Sequence, residues 1–152
     1  MMTGTVPPAP GEPGAAKWYL VVDAANVVGS QPNGWWRDRR RAAQKLIDSL
    51  SELAQRGLAS SEAGADAERT WPEIVVVTEG QAKGAEDPQG RVRVVAAERD
   101  GDQAIVDTVR QLTTHNSSVL VVTADRGLRG RVEALGATVV GPSWLRTHLG
   151  PD

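Results

Sequence analysis

Residues 18–26 read WYLVVDAAN and residues 119–125 read VLVVTAD. In each, an apolar run without polar alternation leads directly to an aspartate. A strand that is apolar on both faces belongs between two layers of helix, in a parallel sheet. Residues 74–77 make a third run of this kind, followed by Thr78 and Glu79. Residues 92–96 read as a further strand, and 138–140 as a weaker fifth.

The segments between them carry helical spacing. Residues 37–56 place Ala43, Leu46, Ile47, Leu50, Leu53 and Ala54 on one stripe with a charged back, and Gly57 is a natural stop. Residues 102–112 repeat the pattern with Ile105, Val106, Val109 and Leu112. Leu128, Val132 and Leu135 do so again before Gly136. A last short helix is expected from Ser143, with Trp144, Leu145 and Leu149 facing inward. Strands alternating with helices predict an α/β fold with a largely parallel sheet wound by right-handed crossovers. Two stretches break the rhythm. Residues 80–91 are polar and too short for a regular crossover helix, and residues 57–72 read as an irregular insertion.

The chain has 152 residues, 40 % of them hydrophobic and 24 % charged, which fits one domain. We expect residues 1–16, rich in Pro, Gly and Ala, to form a flexible tail, and residues 17–150 to form the folded domain. No cysteine is present, which excludes disulfides, thiolate zinc sites and cysteine nucleophiles and suits a reducing cytoplasm. The N-terminus lacks the basic start and apolar stretch of a signal peptide. No apolar run nears the roughly 18 residues of a membrane span. With a net charge of −2, attraction for nucleic acid has to come from a local basic surface.

In an open parallel sheet, ligands bind beyond the carboxyl ends of the strands. Asp23 follows the first strand, Glu79 the second and Asp125 the fourth, while the third leads to Asp100 and Asp102 at a helix start. Converging carboxylates, with no cysteine and only two histidines, are the hard oxygen donors that Mg²⁺ and Mn²⁺ prefer. Such ions align a water and neutralise a leaving oxygen in phosphodiester cleavage. Simpler roles are open for several of these acids. Asp100 with Gln103 is a capping-box pattern. Glu79 stands before Gly80 in a turn, where exposure is expected. Asp107 can contact Arg110 or Gln111 on the helix surface. Asp23 and Asp125, flush against apolar strands, need specific compensation. Asn26 can shape the turn after Asp23 or help position it.

The ordered set VVDAANVV, RDGDQAIVDTVRQL and VLVVTADRGLRGRVEALGA resembles the NYN branch of the PIN-like nuclease superfamily over residues 18 to 145. That resemblance implies a three-layer α/β/α sandwich and a metal-dependent ribonuclease, endonucleolytic in preference. It implies Asp23, Asp102 and Asp125 as metal ligands sharing one divalent ion, with Asn26 in support. Glu79 and Asp107 are candidate supporting acids. Two positions depart from the pattern: Gln103 stands where related sequences have a second helix-start acid, and Gly127 where many have another acid. These departures favour the alternative, a catalytically weak or inactive module that binds RNA or a protein.

RNA, single-stranded or structured, is the expected partner. WWRDRRRAAQK places Trp35 and Trp36 for base stacking and Arg37, Arg40 and Arg41 for phosphates, unless the tryptophans pack as a lid. Arg126, Arg129 and Arg131 add positive charge beside Asp125. His115 and His148 have no metal or dyad spacing. The absence of a phosphate-binding Gly-rich loop disfavours an NTPase or a small-molecule phosphohydrolase, and the absence of a Gly-x-Ser-x-Gly elbow disfavours a serine hydrolase. The oligomeric state stays open, a homodimer included.

Overall fold

A computed structural model describes residues 17–30, 38–59, 69–82, 84–113 and 117–149. The elements run β1 (Lys17–Asp23), α1 (Ala24–Gly29), α2 (Arg39–Arg56), β2 (Leu58–Ala59), β3 (Arg69–Thr70) and β4 (Glu73–Thr78). A short 3-10 helix (Gly80–Ala82) leads to β5 (Val92–Ala96), α3 (Gly101–Leu112), β6 (Ser117–Val122), α4 (Arg126–Glu133), β7 (Thr138–Val140) and α5 (Pro142–His148). The five-stranded sheet has the order β5-β4-β1-β6-β7, and every neighbouring pair is parallel.

Strand alternation sends side chains to two cores. Leu20, Val22, Ile74, Val76 and Val122 face α1, α2 and α5, where Ile47, Leu50 and Leu145 are fully buried. Val21, Val75, Val77, Val119 and Val121 face α3 and α4, meeting Ile105, Val109 and Val132. This is a three-layer α/β/α sandwich. Each fully buried aliphatic side chain contributes about 1.5–3 kcal/mol relative to exposure, so the apolar strands hold both helical layers.

The helix stripes lie where the spacing predicts. Asp38 caps α2 by accepting from the Arg41 N–H at 3.0 Å, and Gly57 ends it at φ +82°. A Cβ at Gly57 would also stand 2.7 Å from the Trp71 ring, so the position is closed to other residues twice over.

Three local features differ from the expectation. The DAAN stretch, read as a turn, winds into α1. The insertion at 57–72 is not irregular at its ends, because β2 and β3 pair antiparallel and bury Leu58. The 80–91 connection is fastened rather than loose. Gln44 of α2 donates to the Glu86 carbonyl and accepts from its N–H, and the Asp87 carboxylate accepts from the N–H groups of Gln89, Arg91 and Val92. The expected tail, residues 1–16, lies outside the described residues, as does His115. His148 ends α5, its ring tilted against that of Trp144 at 4.7 Å, a helix-end role. No described helix is long and apolar enough to cross a membrane.

Candidate active site

From β1 the chain first moves to β4 on one side and later to β6 on the other, so the strand order reverses at β1. A crevice at the carboxyl end of such a switch point is where this class of sheet binds ligands. Asp23 is the last residue of β1 and stands in that position. It is only 8 % exposed.

Its two oxygens are both engaged. Oδ1 accepts from the Asn26 N–H at 3.3 Å, capping α1, and Oδ2 accepts from the Thr123 hydroxyl at 3.0 Å. The Thr123 Oγ1 in turn accepts from the Asp125 N–H at 3.1 Å, and the Asn26 side-chain oxygen accepts from the Ala124 N–H at 2.8 Å. Asp125 caps α4 through the Leu128 N–H at 2.9 Å. These bonds lace the end of β1 to the end of β6 across the switch point. Thr123, to which the motif reading gave no role, is the link between the two aspartates. A polar residue closing an apolar strand was the available signal.

Asp102 arrives from the other helical layer. After β5, α3 packs back against β4 and β1, which brings its first turn to the carboxyl edge. Asp100 caps it, accepting from the Asp102 N–H at 2.9 Å. The second half of the expected capping box does not form. Gln103 instead donates to Asp107 and accepts from Arg131 at 2.6 Å.

Glu79 corrects an expectation of exposure. It is half-buried at the end of β4, and its carboxyl carbon lies 2.8 Å from where a Cβ on Gly101 would stand. Only a glycine at the first position of α3 admits it. Asp107 lies one turn further along α3 on the surface, held by Gln103 and an exposed ion pair with Arg110, apart from the other acids.

The charges of the five remaining acids, Asp23, Glu79, Asp100, Asp102 and Asp125, act on one another at this edge. Burial pushes the Asp23 carboxyl up to about 6. The hydrogen bonds from Thr123 and the Asn26 N–H oppose the rise, and the charges of Asp102 and Glu79 add to it. The Asp102 carboxyl is raised too, first by burial and then by Asp125, Asp100 and Glu79, with Arg131 opposing. Negative charge is therefore in excess at this edge.

Hard oxygen donors with surplus charge match a divalent cation in kind. Among the described residues, none donates a hydrogen bond to the Asp102 or Glu79 carboxylate, and Asp125 keeps one oxygen outside its cap. Their closeness does not match yet. Among the described residues no three acidic or histidine side chains converge tightly enough to hold a metal ion, and Asp23 and Asp125 each cap their own helix.

Of the expected RNA contacts, Trp35, Trp36 and Arg37 lie outside the described residues. Arg40 reaches the Gly84 carbonyl, and Arg41 is exposed in the first turn of α2. Arg126 is exposed at the start of α4, whereas Arg129 pairs with Glu133 at 3.2 Å.

No protein-family model and no curated protein sequence matches the chain. Its structure is similar to two crystal structures of Rae1 (YacP) from Bacillus subtilis, one of them a point mutant. The TM-scores are 0.63 and 0.64 at 20 % sequence identity, over 86 % of this chain and 72 % and 74 % of those chains. At that identity the likeness establishes the fold.

Proposed function

We propose that the protein is a PIN-like ribonuclease of the NYN type that hydrolyses RNA internally with the help of Mg²⁺ or Mn²⁺. One observation carries the reading: Asp23, Glu79, Asp102 and Asp125 are delivered by four separate elements to one sheet edge, where burial first, and the charges of neighbouring acids after it, raise Asp23 and Asp102. A fold needs no such group, since acids whose charges act on one another at a partly buried edge destabilise it unless a cation offsets them. The similarity to Rae1 supports a fold of the right kind, and the ordered motifs resemble the NYN branch.

Asp23, Glu79, Asp102 and Asp125 would hold the ion, which when bound supplies an acidified water and offsets charge on the phosphodiester. The protein's own share is positioning. Thr123 and the α1 cap fix the Asp23 carboxylate. Asn26, anchored through its oxygen to the Ala124 N–H, keeps its amide N–H₂ to donate to a phosphate oxygen. Arg126 at the start of α4 and Arg131 beside Asp102 hold the substrate backbone against the local negative charge.

The test is a covalently closed circular RNA incubated with the full chain in Mn²⁺, in Mg²⁺ and in EDTA. Linearisation in either metal, absent in EDTA and lost in Asp102→Asn, is the expected result. Cleavage that persists in EDTA would refute the metal dependence, and digestion confined to linear RNA would refute the internal mode. A second reading is favoured by Gln103 and Gly127 and by the absence, among the described residues, of three converged acids. On that reading the chain binds RNA or a protein without cutting, and RNA binding with no cleavage in either metal would establish it.

A further inference from the structure

Beside the acids, on the α1 and α2 side of the sheet, lies a half-open cleft of about 370 Å³. Ala24, Ala25 and Val28 of α1, Ala43 of α2 and Ala82 of the 3-10 helix give it a wall of short apolar side chains. Three elements distant in sequence thus contribute alanine to one place, and a leucine at Ala25 or Ala82 would fill it. The rim differs in character. Arg39 and Arg99 bring positive charge to it, and Glu79 and Asp100 bring acceptors. Arg99 is exposed and belongs to neither ion pair found among the described residues.

The volume lies at the small end of the ~300–1,000 Å³ typical of ligand pockets. A short apolar wall edged by both donors and acceptors matches a nucleobase, which has apolar faces and a polar edge. Rim arginines match the phosphate attached to it. Position agrees with chemistry. Ala24 follows Asp23 directly, and Glu79 belongs to both the cleft and the acid group.

We infer that the cleft receives one base of the RNA, that of the nucleotide adjoining the phosphate held over the acids. Arg99 and Arg39 engage that nucleotide's phosphate. The inference rests on the ribonuclease reading and deepens it, because it makes base preference a property of this cleft.

The experiment titrates 5′-AMP, GMP, CMP and UMP separately into the full chain in EDTA, followed by amide chemical shifts. The same titrations are run on Ala25→Leu, Ala82→Leu and Arg99→Ala. At least one nucleotide should bind, shifting amides of α1 and of residues 79–82, and either filled variant should weaken it by about tenfold or more. Arg99→Ala, an exposed change that leaves the core untouched, should weaken the nucleotide while leaving its nucleoside unaffected. No binding by any of the four up to about 10 mM overturns the inference, as does parental binding by the filled variants. Cleavage assays separate the two readings. A parent that binds nucleotides in the cleft yet cuts no RNA sinks the ribonuclease and keeps the nucleotide site. A parent that cuts RNA, with filled variants retaining its sequence preference, sinks the cleft alone.

Discussion

The Glu79 carboxylate occupies the space in which a side chain at Gly101 would begin, its carboxyl carbon 2.8 Å from the position of a Cβ there. Since Glu79 is the far end of a flexible side chain, Gly101→Ala should displace it rather than break the fold. We expect a change in stability within about 1 kcal/mol in urea denaturation, since alanine is also a better helix residue than glycine. Cleavage should fall to the level of Glu79→Ala, and the double variant should fall no further. Full activity in Gly101→Ala would show that the seat of Glu79 has no functional role.

Asp23 gives a dependence on pH whose sign is fixed by its environment. Its folded-state value of about 6 lies above the ordinary 3.8, so the folded protein binds this proton more tightly than the unfolded chain. Stability from this group is greatest below about pH 4 and declines as pH rises through about 6. A gap of roughly two pH units corresponds to about 3 kcal/mol of destabilisation at neutral pH. Asp23→Asn keeps an acceptor for the Asn26 N–H and can donate to Thr123. It should therefore stabilise the protein by up to that amount at pH 7.5 while abolishing cleavage. Urea titrations in EDTA should show the gain vanish near pH 4, and adding Mn²⁺ should narrow it at pH 7.5. A gain independent of pH would remove burial of the charge as its cause.

Thr123 joins Asp23 to the Asp125 N–H, so Thr123→Val deprives two partners at once. We expect a loss of about 1–3 kcal/mol at pH 7, smaller at pH 5, where Asp23 is mostly protonated. The Asp23 carboxyl, followed by carbon NMR in EDTA, should titrate above its parental value, because one of the bonds that opposes burial is gone. Thr123→Ser, which keeps the hydroxyl, should restore both measurements. A valine variant with an unchanged titration would mean that the bond does not tune Asp23.

Legibility in the sequence followed the range of the interaction. The continuous apolar runs ending at Asp23 and Thr123 announce a doubly covered parallel sheet, and the stripe from Ala43 to Leu53 announces α2. These patterns are local and periodic. The helix α1 was hidden because six residues hold too little periodicity, and what winds them is the Asp23 carboxylate on the Asn26 N–H. Gln103 departed from its capping pattern, its oxygen accepting instead from Arg131, 28 positions away. The Glu79–Gly101 approach and the alanine-walled cleft are purely tertiary. Nothing in the vicinity of either residue foretells its neighbour, so Glu79 read as a turn acid, and Ala25 and Ala82 drew no reading at all.

The basic start of α2 can be tested without reference to any resemblance. Arg41 is exposed there, and Arg40 reaches only a loop carbonyl, so both can turn to a phosphate without losing a strong partner. If Arg37, Arg40 and Arg41 contact RNA phosphates, each alanine variant should weaken binding across all sequences. Each should also flatten the log–log salt dependence by roughly 0.7 for a single strand, because one fewer counterion set is released. Trp35→Ala and Trp36→Ala should behave differently, costing about 1–3 kcal/mol per stacked base while leaving the salt slope almost unchanged. The contrast arises because counterion release belongs to charge and stacking does not. Fluorescence anisotropy on a labelled oligonucleotide at several salt concentrations in EDTA reads both quantities from one titration series. Should the arginine variants bind as the parent does while the tryptophan variants lose only melting temperature, the segment is a packed lid with a solvated basic face. RNA would then have to approach the acids from the side of α4, where Arg126 stands exposed next to Asp125.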